Sequence, residues 1–201
     1  RRALIAVLVL AWAARLGFHI AARTRAITED PRYGKLKRDW GDRAPAKLAR
    51  MLQMQALASL PLALGIVVAA HDPAPTLGWR DAAGVAVFLA GLAGGAVADG
   101  QLAAFTRSGS GGVCDRGLWA WSRHPNYFFE CLLWCAYAVI AAGYGWGWFA
   151  LLAPACITVL LTRISGIPPL EEHMLAKHGA AYRAYQSRTS PLLPLPPKAT
   201  P

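Results

Sequence analysis

Five polar side chains lie within eight consecutive positions near the middle of the chain, from 123 to 130. Pro125 suits the first turn of a helix, whose unpaired amide groups attract anions. An arginine beside such a helix start can bind a phosphate through two parallel hydrogen bonds. Residues four apart share a helix face, so the asparagine and the glutamate can address one bound group together. The five candidate ligand-binding residues are Arg123, His124, Asn126, Tyr127 and Glu130.

Asp99 lies inside an apolar stretch, where an ionised acid costs about 2.5 to 3.5 kcal/mol on insertion scales and needs a partner. One interpretation is that it reaches the membrane surface or pairs with Arg107, two turns further on. The other is that Asp99 and Gln101 line a polar cavity, in which the acid accepts hydrogen bonds from amide or ribose hydroxyl groups. Such a cavity suits a nucleotide better than a metal ion.

Two further polar stretches flank the apolar ones. Residues Pro168 to Arg188 have apolar side chains at helical spacing and predict an amphipathic cytoplasmic helix, followed by an extended, proline-rich tail. The polar residues of this helix are either solvated or close a binding site from below. The same two interpretations apply to Arg32 and Tyr33 in the first long loop. The candidates on the helix are Glu172, His173, Tyr182, Tyr185 and Arg188.

Composition indicates where these residues must lie. Of 201 residues, 55% are apolar and 16% are charged, against roughly 25% charged in an ordinary soluble domain. Five apolar segments are separated by polar connections, and the third is rich in glycine, which lets membrane helices approach closely. The sequence predicts one all-α membrane domain over residues 1–201, with further helices expected upstream. The five segments cover residues 3–22, 51–70, 82–105, 127–142 and 146–162.

The basic residues, which give a formal charge of +10, are concentrated in alternate connections. Residues 71–81 hold one arginine and residues 143–147 hold no charge. The positive-inside rule therefore places the other connections and the C-terminal segment in the cytoplasm. Charge in membrane-flanking loops excludes nucleic acid as the partner and favours membrane lipid. The basic stretches are residues 23–50, 106–124 and 163–201, with nine, three and five Lys or Arg.

Arg1 and Arg2 oppose this topology, which is one reason to expect a missing upstream segment.

The four cysteines form no C-x-x-C pair and have no histidine-rich ligand set nearby, so neither a metal site nor a disulfide framework is predicted. They are small apolar packing residues.

Five motifs together resemble the bacterial branch of the steroid 5-alpha-reductase family, and the resemblance covers nearly the whole chain from Trp12 to Pro194. The Arg-His-Pro-x-Tyr part alone also resembles membrane methyltransferases of the isoprenylcysteine carboxyl methyltransferase type. The motifs are Trp-Ala-Ala-Arg-Leu, Glu-Asp-Pro-Arg-Tyr, Ala-Asp-Gly-Gln-Leu-Ala-Ala-Phe, Gly-Leu-Trp-Ala-Trp-Ser-Arg-His-Pro-Asn-Tyr-Phe-Phe-Glu and Ser-Gly-Ile-Pro-Pro-Leu-Glu-Glu.

The resemblance implies a multi-helix enzyme of the bacterial inner membrane that uses NADPH. The reaction it implies is reduction of a carbon–carbon double bond conjugated to a ketone in a steroid-like lipid. It also implies that Asp99, Asn126 and Glu130 contact the nicotinamide cofactor and that residues 185–188 face it. NADPH is expected over NADH, because cytoplasmic arginines can bind the 2′-phosphate. Those arginines are Arg32, Arg107, Arg116 and Arg123.

Two departures from the family pattern matter. Gly95 stands where the animal enzymes have an asparagine, so part of the cofactor contact must differ. The acid that binds the substrate ketone in those enzymes would precede residue 1. Gln53 and Gln55 are the remaining candidates for polarising the carbonyl, although helix packing or cofactor contact suits them better.

Two other classes of function stay open. A methyltransferase would use Arg123, His124 and Tyr127, together with the pair Glu171 and Glu172, to bind S-adenosylmethionine. A non-catalytic lipid-binding or scaffold protein would pair its intramembrane acids with Arg107 and Arg163. Asp99 beside Gln101 inside a preceding helix favours the reductase.

Overall fold

A computed structural model describes residues 1–24, 34, 38–109, 111–143 and 145–198. The regular structure of these residues is helical, without a β-strand. Short irregular helical turns precede and follow α6. The main α-helices are α1 (Arg2–Thr24), α2 (Ala44–Ala70), α3 (Trp79–Arg107), α4 (Leu118–Trp121), α5 (Pro125–Ala141), α6 (Leu152–Val159), α7 (Ile167–His178) and α8 (Ala180–Arg188).

Four helical stretches are long and apolar enough to cross a membrane, which confirms the predicted all-α membrane bundle. The fourth predicted segment, residues 127–142, forms α5, whose 17 residues extend about 25 Å at 1.5 Å per residue. It lies in the centre and contributes Leu133, Trp134, Tyr137 and Ile140 to the core. The four stretches are Arg2–Ala22, Arg38–Ala70, Trp79–Arg107 and Gly147–His178.

Helices α3 and α5 form the most extensive contact in the bundle, and glycines on α3 allow it. A Cβ atom at Gly91 would lie 2.8 Å from the backbone nitrogen and Cα of Leu133. One at Gly84 would lie 2.3 Å from the side chain of Ile140. The prediction that this glycine-rich segment packs closely against a neighbour is confirmed.

Arg1 connects the start of α1 to the loop between α2 and α3 and to the first turn of α3. Its Nε donates to Asp81 at 2.7 Å, and its Nη1 lies 3.5 Å from Asp72. The Nη groups also donate to the backbone carbonyls of residues 72, 74 and 76. The side chains of Arg1 and Asp81 are buried. The predicted topology requires few basic residues at this end of the bundle, and the charge of Arg1 is paired there. Arg2 is exposed.

The C-terminal segment differs from the single amphipathic helix predicted. It forms two helices, α7 and α8, which are separated at Gly179. The φ angle of Gly179 is +51°, a left-handed conformation that ends helices and favours glycine. The tail then runs beside the chain that precedes α5, where the Arg123 amide donates to the Ser190 carbonyl at 2.8 Å and the Leu195 amide donates to Trp121 at 3.1 Å.

Replacing Gly91 by alanine should destabilise the bundle, because the added Cβ meets backbone atoms of Leu133 that cannot rotate away. We expect a loss of about 1 to 3 kcal/mol and a lower midpoint of thermal unfolding in detergent. Gly100→Ala is the matched control, since nothing lies within 4 Å of a Cβ there. Equal midpoints for the two variants would contradict the close α3–α5 packing.

Candidate functional site

Three helices bring charged side chains together inside the bundle, toward the end that carries the basic connections. Arg15 comes from α1, Asp99 from α3, and Glu130 from α5. The Arg15 guanidinium lies 2.7 Å from Asp99 through Nη2 and 3.5 Å from Glu130 through Nη1. The side chains are 19%, 16% and 19% exposed, respectively. We call these residues, together with Trp12, His19 and Asn126, the intramembrane cluster.

Asp99 has three partners in this cluster. Besides Arg15, the Nδ1 atom of His19 lies 3.5 Å from its Oδ2, and the Asn126 amide donates to its Oδ1 at 3.3 Å. The interpretation that Asp99 pairs with Arg107 is therefore wrong, because α1 supplies the arginine. Arg107 is exposed at the end of α3.

Two tryptophans hold Glu130. The indole N–H of Trp12 donates to Oε1 at 2.8 Å, and that of Trp134 donates to the same oxygen at 3.1 Å. The two rings meet edge to face with their centroids 5.3 Å apart. A half-buried acid with indole and guanidinium donors has its hydrogen bonds satisfied without snorkelling to the interface.

Gly95 explains how the guanidinium reaches Asp99. A Cβ atom at this position would lie 2.7 Å from the Nη2 atom of Arg15, so any side chain would displace the arginine or force it to move. Here the arginine of α1 occupies the space beside the missing side chain.

Gln101 does not share a cavity with Asp99. Its Oε1 accepts a hydrogen bond from the Leu118 amide at 2.9 Å, and its side chain lies against Gly117. Residues two apart on a helix point to different sides, which separates the two polar groups. The predicted joint cavity is therefore replaced by two contacts: Asp99 in the intramembrane cluster and Gln101 at the turn before α4.

A second polar group links the start of α5 to the C-terminal helices. Arg123 donates from Nε to Glu171 at 2.6 Å and from Nη1 to the backbone carbonyls of Gln186 and Thr189, at 3.1 and 2.7 Å. Gln186 donates to the other oxygen of Glu171 at 2.9 Å. His124 contacts the same glutamate, 3.2 Å from Nε2 to Oε1. We call Arg123, His124, Glu171 and Gln186 the C-terminal cluster.

The five residues from 123 to 130 therefore divide between two sites. Asn126 and Glu130 face the intramembrane cluster, whereas Arg123 and His124 face α7 and α8. Tyr127 stacks on His124, with ring centroids 5.3 Å apart. Pro125 begins α5 as predicted, but the guanidinium of Arg123 already binds a carboxylate and two carbonyls.

The tyrosines of α8 are buried rather than exposed. The Tyr185 hydroxyl donates to the Trp119 carbonyl at 2.5 Å. Burial raises the pKa of both Tyr182 and Tyr185 above the ordinary phenol value. Arg188 forms an ion pair with Asp115. These residues fix α8 against the segment that precedes α5.

Other candidates lie outside both clusters. Gln53 lines a shallow apolar groove on the outer face of α2 with Leu57 and Leu60. Arg32 and Tyr33 fall outside the residues that the structure describes. In the described part of the chain no three metal-ligating side chains come together, and the cysteines are free. The exposed candidates are Gln53, Gln55, Arg107, Arg116, Glu172 and His173.

Several residues in or beside the intramembrane cluster were not predicted from the sequence. Arg15 had a signal, because it is the one charge inside the first apolar segment and must have a partner there. Glu171 was predicted only as one of a pair with Glu172, and helical phase decides which of the two faces inward. Tryptophan in an apolar segment has no comparable signal, since it also packs in cores. The residues that were not predicted are Trp12, Arg15, His19 and Trp134.

Fold and clusters together define the class: an all-α polytopic membrane protein with paired charges inside one end of its bundle. Residues 1–189 match the family described as Protein of unknown function (DUF1295), and the chain belongs to that family. The match covers the bundle and both C-terminal helices. No curated protein and no solved structure matches the chain.

Replacing Arg123 by glutamine should loosen the C-terminal helices, because Glu171 loses its closest partner and two carbonyls lose their donors. Leaving such groups unpaired costs about 1 to 3 kcal/mol. We expect about tenfold faster hydrogen–deuterium exchange over residues 180–190. Arg183→Gln, which changes an exposed arginine on α8, is the control and should leave exchange unchanged. Similar exchange in both variants would show that Arg123 does not hold this segment.

Proposed function

We propose that the protein is an NADPH-dependent reductase of an apolar, steroid-like enone, related to the steroid 5-alpha-reductases. One observation carries the proposal. Asp99, Asn126 and Glu130, the three residues for which the family resemblance implies nicotinamide contact, lie together in the intramembrane cluster. They come from two helices and are held by a third, so their assembly is a property of the fold.

The chemistry of the cluster suits a nicotinamide nucleotide. Carboxylates accept hydrogen bonds from the carboxamide N–H₂ group and from ribose hydroxyls, and the Asn126 amide can both donate and accept. Arg107 and Arg116 are exposed at the basic end, where they could bind a 2′-phosphate. Arg123 is less suited to that role, because Glu171 and two carbonyls already bind it. We therefore expect NADPH to be preferred to NADH.

The residues of the chain would divide the work of the reaction. When bound, the cofactor would supply a hydride to the carbon beta to the ketone, and a proton from a tyrosine or from water would reach the alpha carbon. Asp99, Asn126 and Glu130 would hold the nicotinamide end, and the surrounding apolar helices would exclude water. The substrate would enter from the lipid side, for which the groove on α2 is a suitable surface. Gln53 lines that groove, outside the intramembrane cluster, so it is a candidate for contact with the entering substrate rather than for polarising the ketone beside the nicotinamide.

The orientation follows from the charges. We propose that the basic end, with the intramembrane cluster nearest to it, faces the cytoplasm of a bacterial inner membrane. The nucleotide would then reach the cluster from the cytoplasm. The C-terminal helices would cover the opening from the same side.

An S-adenosylmethionine-dependent methyltransferase is the second candidate, and the C-terminal cluster favours it. Arg123, His124 and Glu171, which such an enzyme would use for its cofactor, meet within hydrogen-bond distance. In this arrangement, however, the acid and the guanidinium are bound to each other. The reductase is the better supported function because its cluster contains two acids for one arginine.

Direct binding distinguishes the candidates. Protein purified in detergent should bind NADPH with a dissociation constant of about 1 μM and S-adenosylmethionine not measurably. It should also oxidise NADPH when a 4-ene-3-one steroid is added. The reverse binding preference would support the methyltransferase, and binding of neither cofactor would support a lipid-binding or scaffold protein. Equal affinity for NADH would contradict the 2′-phosphate assignment.

Asn126→Ala and Glu130→Gln should each raise the dissociation constant for NADPH about tenfold or more. Each removes a polar partner from a half-buried site, at a cost of roughly 1 to 3 kcal/mol. The control is Cys131→Ala, which changes a buried residue next to Glu130 that belongs to neither cluster. Should both variants fold and bind NADPH as tightly as the parent, α5 is not the cofactor wall.

A further inference from the structure

Three formal charges meet in the intramembrane cluster, and they do not cancel. The Arg15 guanidinium lies between the carboxylates of Asp99 and Glu130, at 2.7 and 3.5 Å. One positive and two negative charges sum to −1, with His19 counted as neutral. The cluster therefore carries one surplus negative charge within the apolar part of the bundle.

This surplus charge acts on its surroundings because little water screens it. The three side chains are between 16% and 19% exposed. At an effective dielectric constant of about 20, a charge acts about four times more strongly than in bulk water. Any charge that develops on a group bound at Asp99 or Glu130 is therefore felt by the whole cluster.

The fold prepares the position of Arg15 on two sides. Gly95 leaves the space that the Nη2 atom needs, since a Cβ atom there would lie 2.7 Å away. Trp12, one turn earlier on α1, donates to Glu130 and fixes the rotation of the helix. Arg15 thus remains in contact with both acids.

We propose that Arg15 sets the balance between the oxidised and the reduced form of the bound nicotinamide cofactor, an inference that rests on the proposed function. The nicotinamide ring is uncharged when reduced and positively charged when oxidised. A cluster charge of −1 beside the ring stabilises the oxidised form, and Arg15 limits this effect by neutralising one of two acids. Arg15 is accordingly a positioning and electrostatic residue rather than a catalytic one.

The test is the ratio of two dissociation constants, that of NADP⁺ divided by that of NADPH, measured by titration of the purified protein. Arg15→Leu changes the cluster charge from −1 to −2 and should lower the ratio about fivefold or more. Asp99→Asn changes it to 0 and should raise the ratio by a similar factor. Arg15→Lys keeps the charge and should stay near the parent ratio.

Arg2→Leu is the matched control, because it removes an exposed arginine from the opposite end of the same helix. It should leave the ratio unchanged. A merely structural role for Arg15 would weaken the affinities for NADP⁺ and NADPH together and leave their ratio unchanged. An unchanged ratio in folded Arg15→Leu therefore overturns this inference but leaves the proposed function standing. If Arg15→Leu does not fold, an unchanged ratio in Asp99→Asn overturns it. A parent protein that binds neither nucleotide overturns the proposed function, and the inference with it.

Discussion

A charge inside an apolar bundle is stable only where an opposite charge or several hydrogen bonds meet it, and this requirement fixes the position of α1. At one end of the helix Arg1 is bound by Asp81 and Asp72. Near the other end Arg15 is bound by Asp99 and Glu130. A helix tied by polar contacts at two heights can neither slide nor rotate without leaving a charge unpaired. The geometry of the intramembrane cluster therefore depends on α1 as much as on α3 and α5.

Most of the fold was predictable, because membrane helices carry their signal locally. The long apolar segments indicated the helical bundle, and the glycines of α3 indicated that this helix packs closely against a neighbour. The break at Gly179 was missed, although glycine after a basic last turn is a typical helix end. The pairing of Arg1 could not be predicted, since its partners lie 71 to 80 residues away and helix packing alone brings them together.

The sequence predicted many of the polar residues of the site, but it did not predict which of them contact each other. An acid in an apolar segment needs a partner, and Arg107 was one predicted partner of Asp99 because it lies two helical turns further along the same segment. The partner is Arg15, 84 residues earlier in the chain. This pair could be predicted only from the packing of α1 beside α3 at Gly95. Helical phase explains the other differences. Neighbouring positions on a helix point in directions about 100° apart, so Glu171 reaches Arg123 while Glu172 faces outward.

The same rule explains how one short run of polar residues serves two clusters. His124 and Asn126 are two positions apart at the start of α5, so their side chains point to different sides of the helix. The first contacts Glu171 on α7, and the second contacts Asp99 on α3. Pro125 between them begins the helix and fixes the backbone in that conformation. One turn of backbone thus joins the C-terminal helices to the intramembrane cluster, so the positions of His124 and Asn126 depend on the same start of α5.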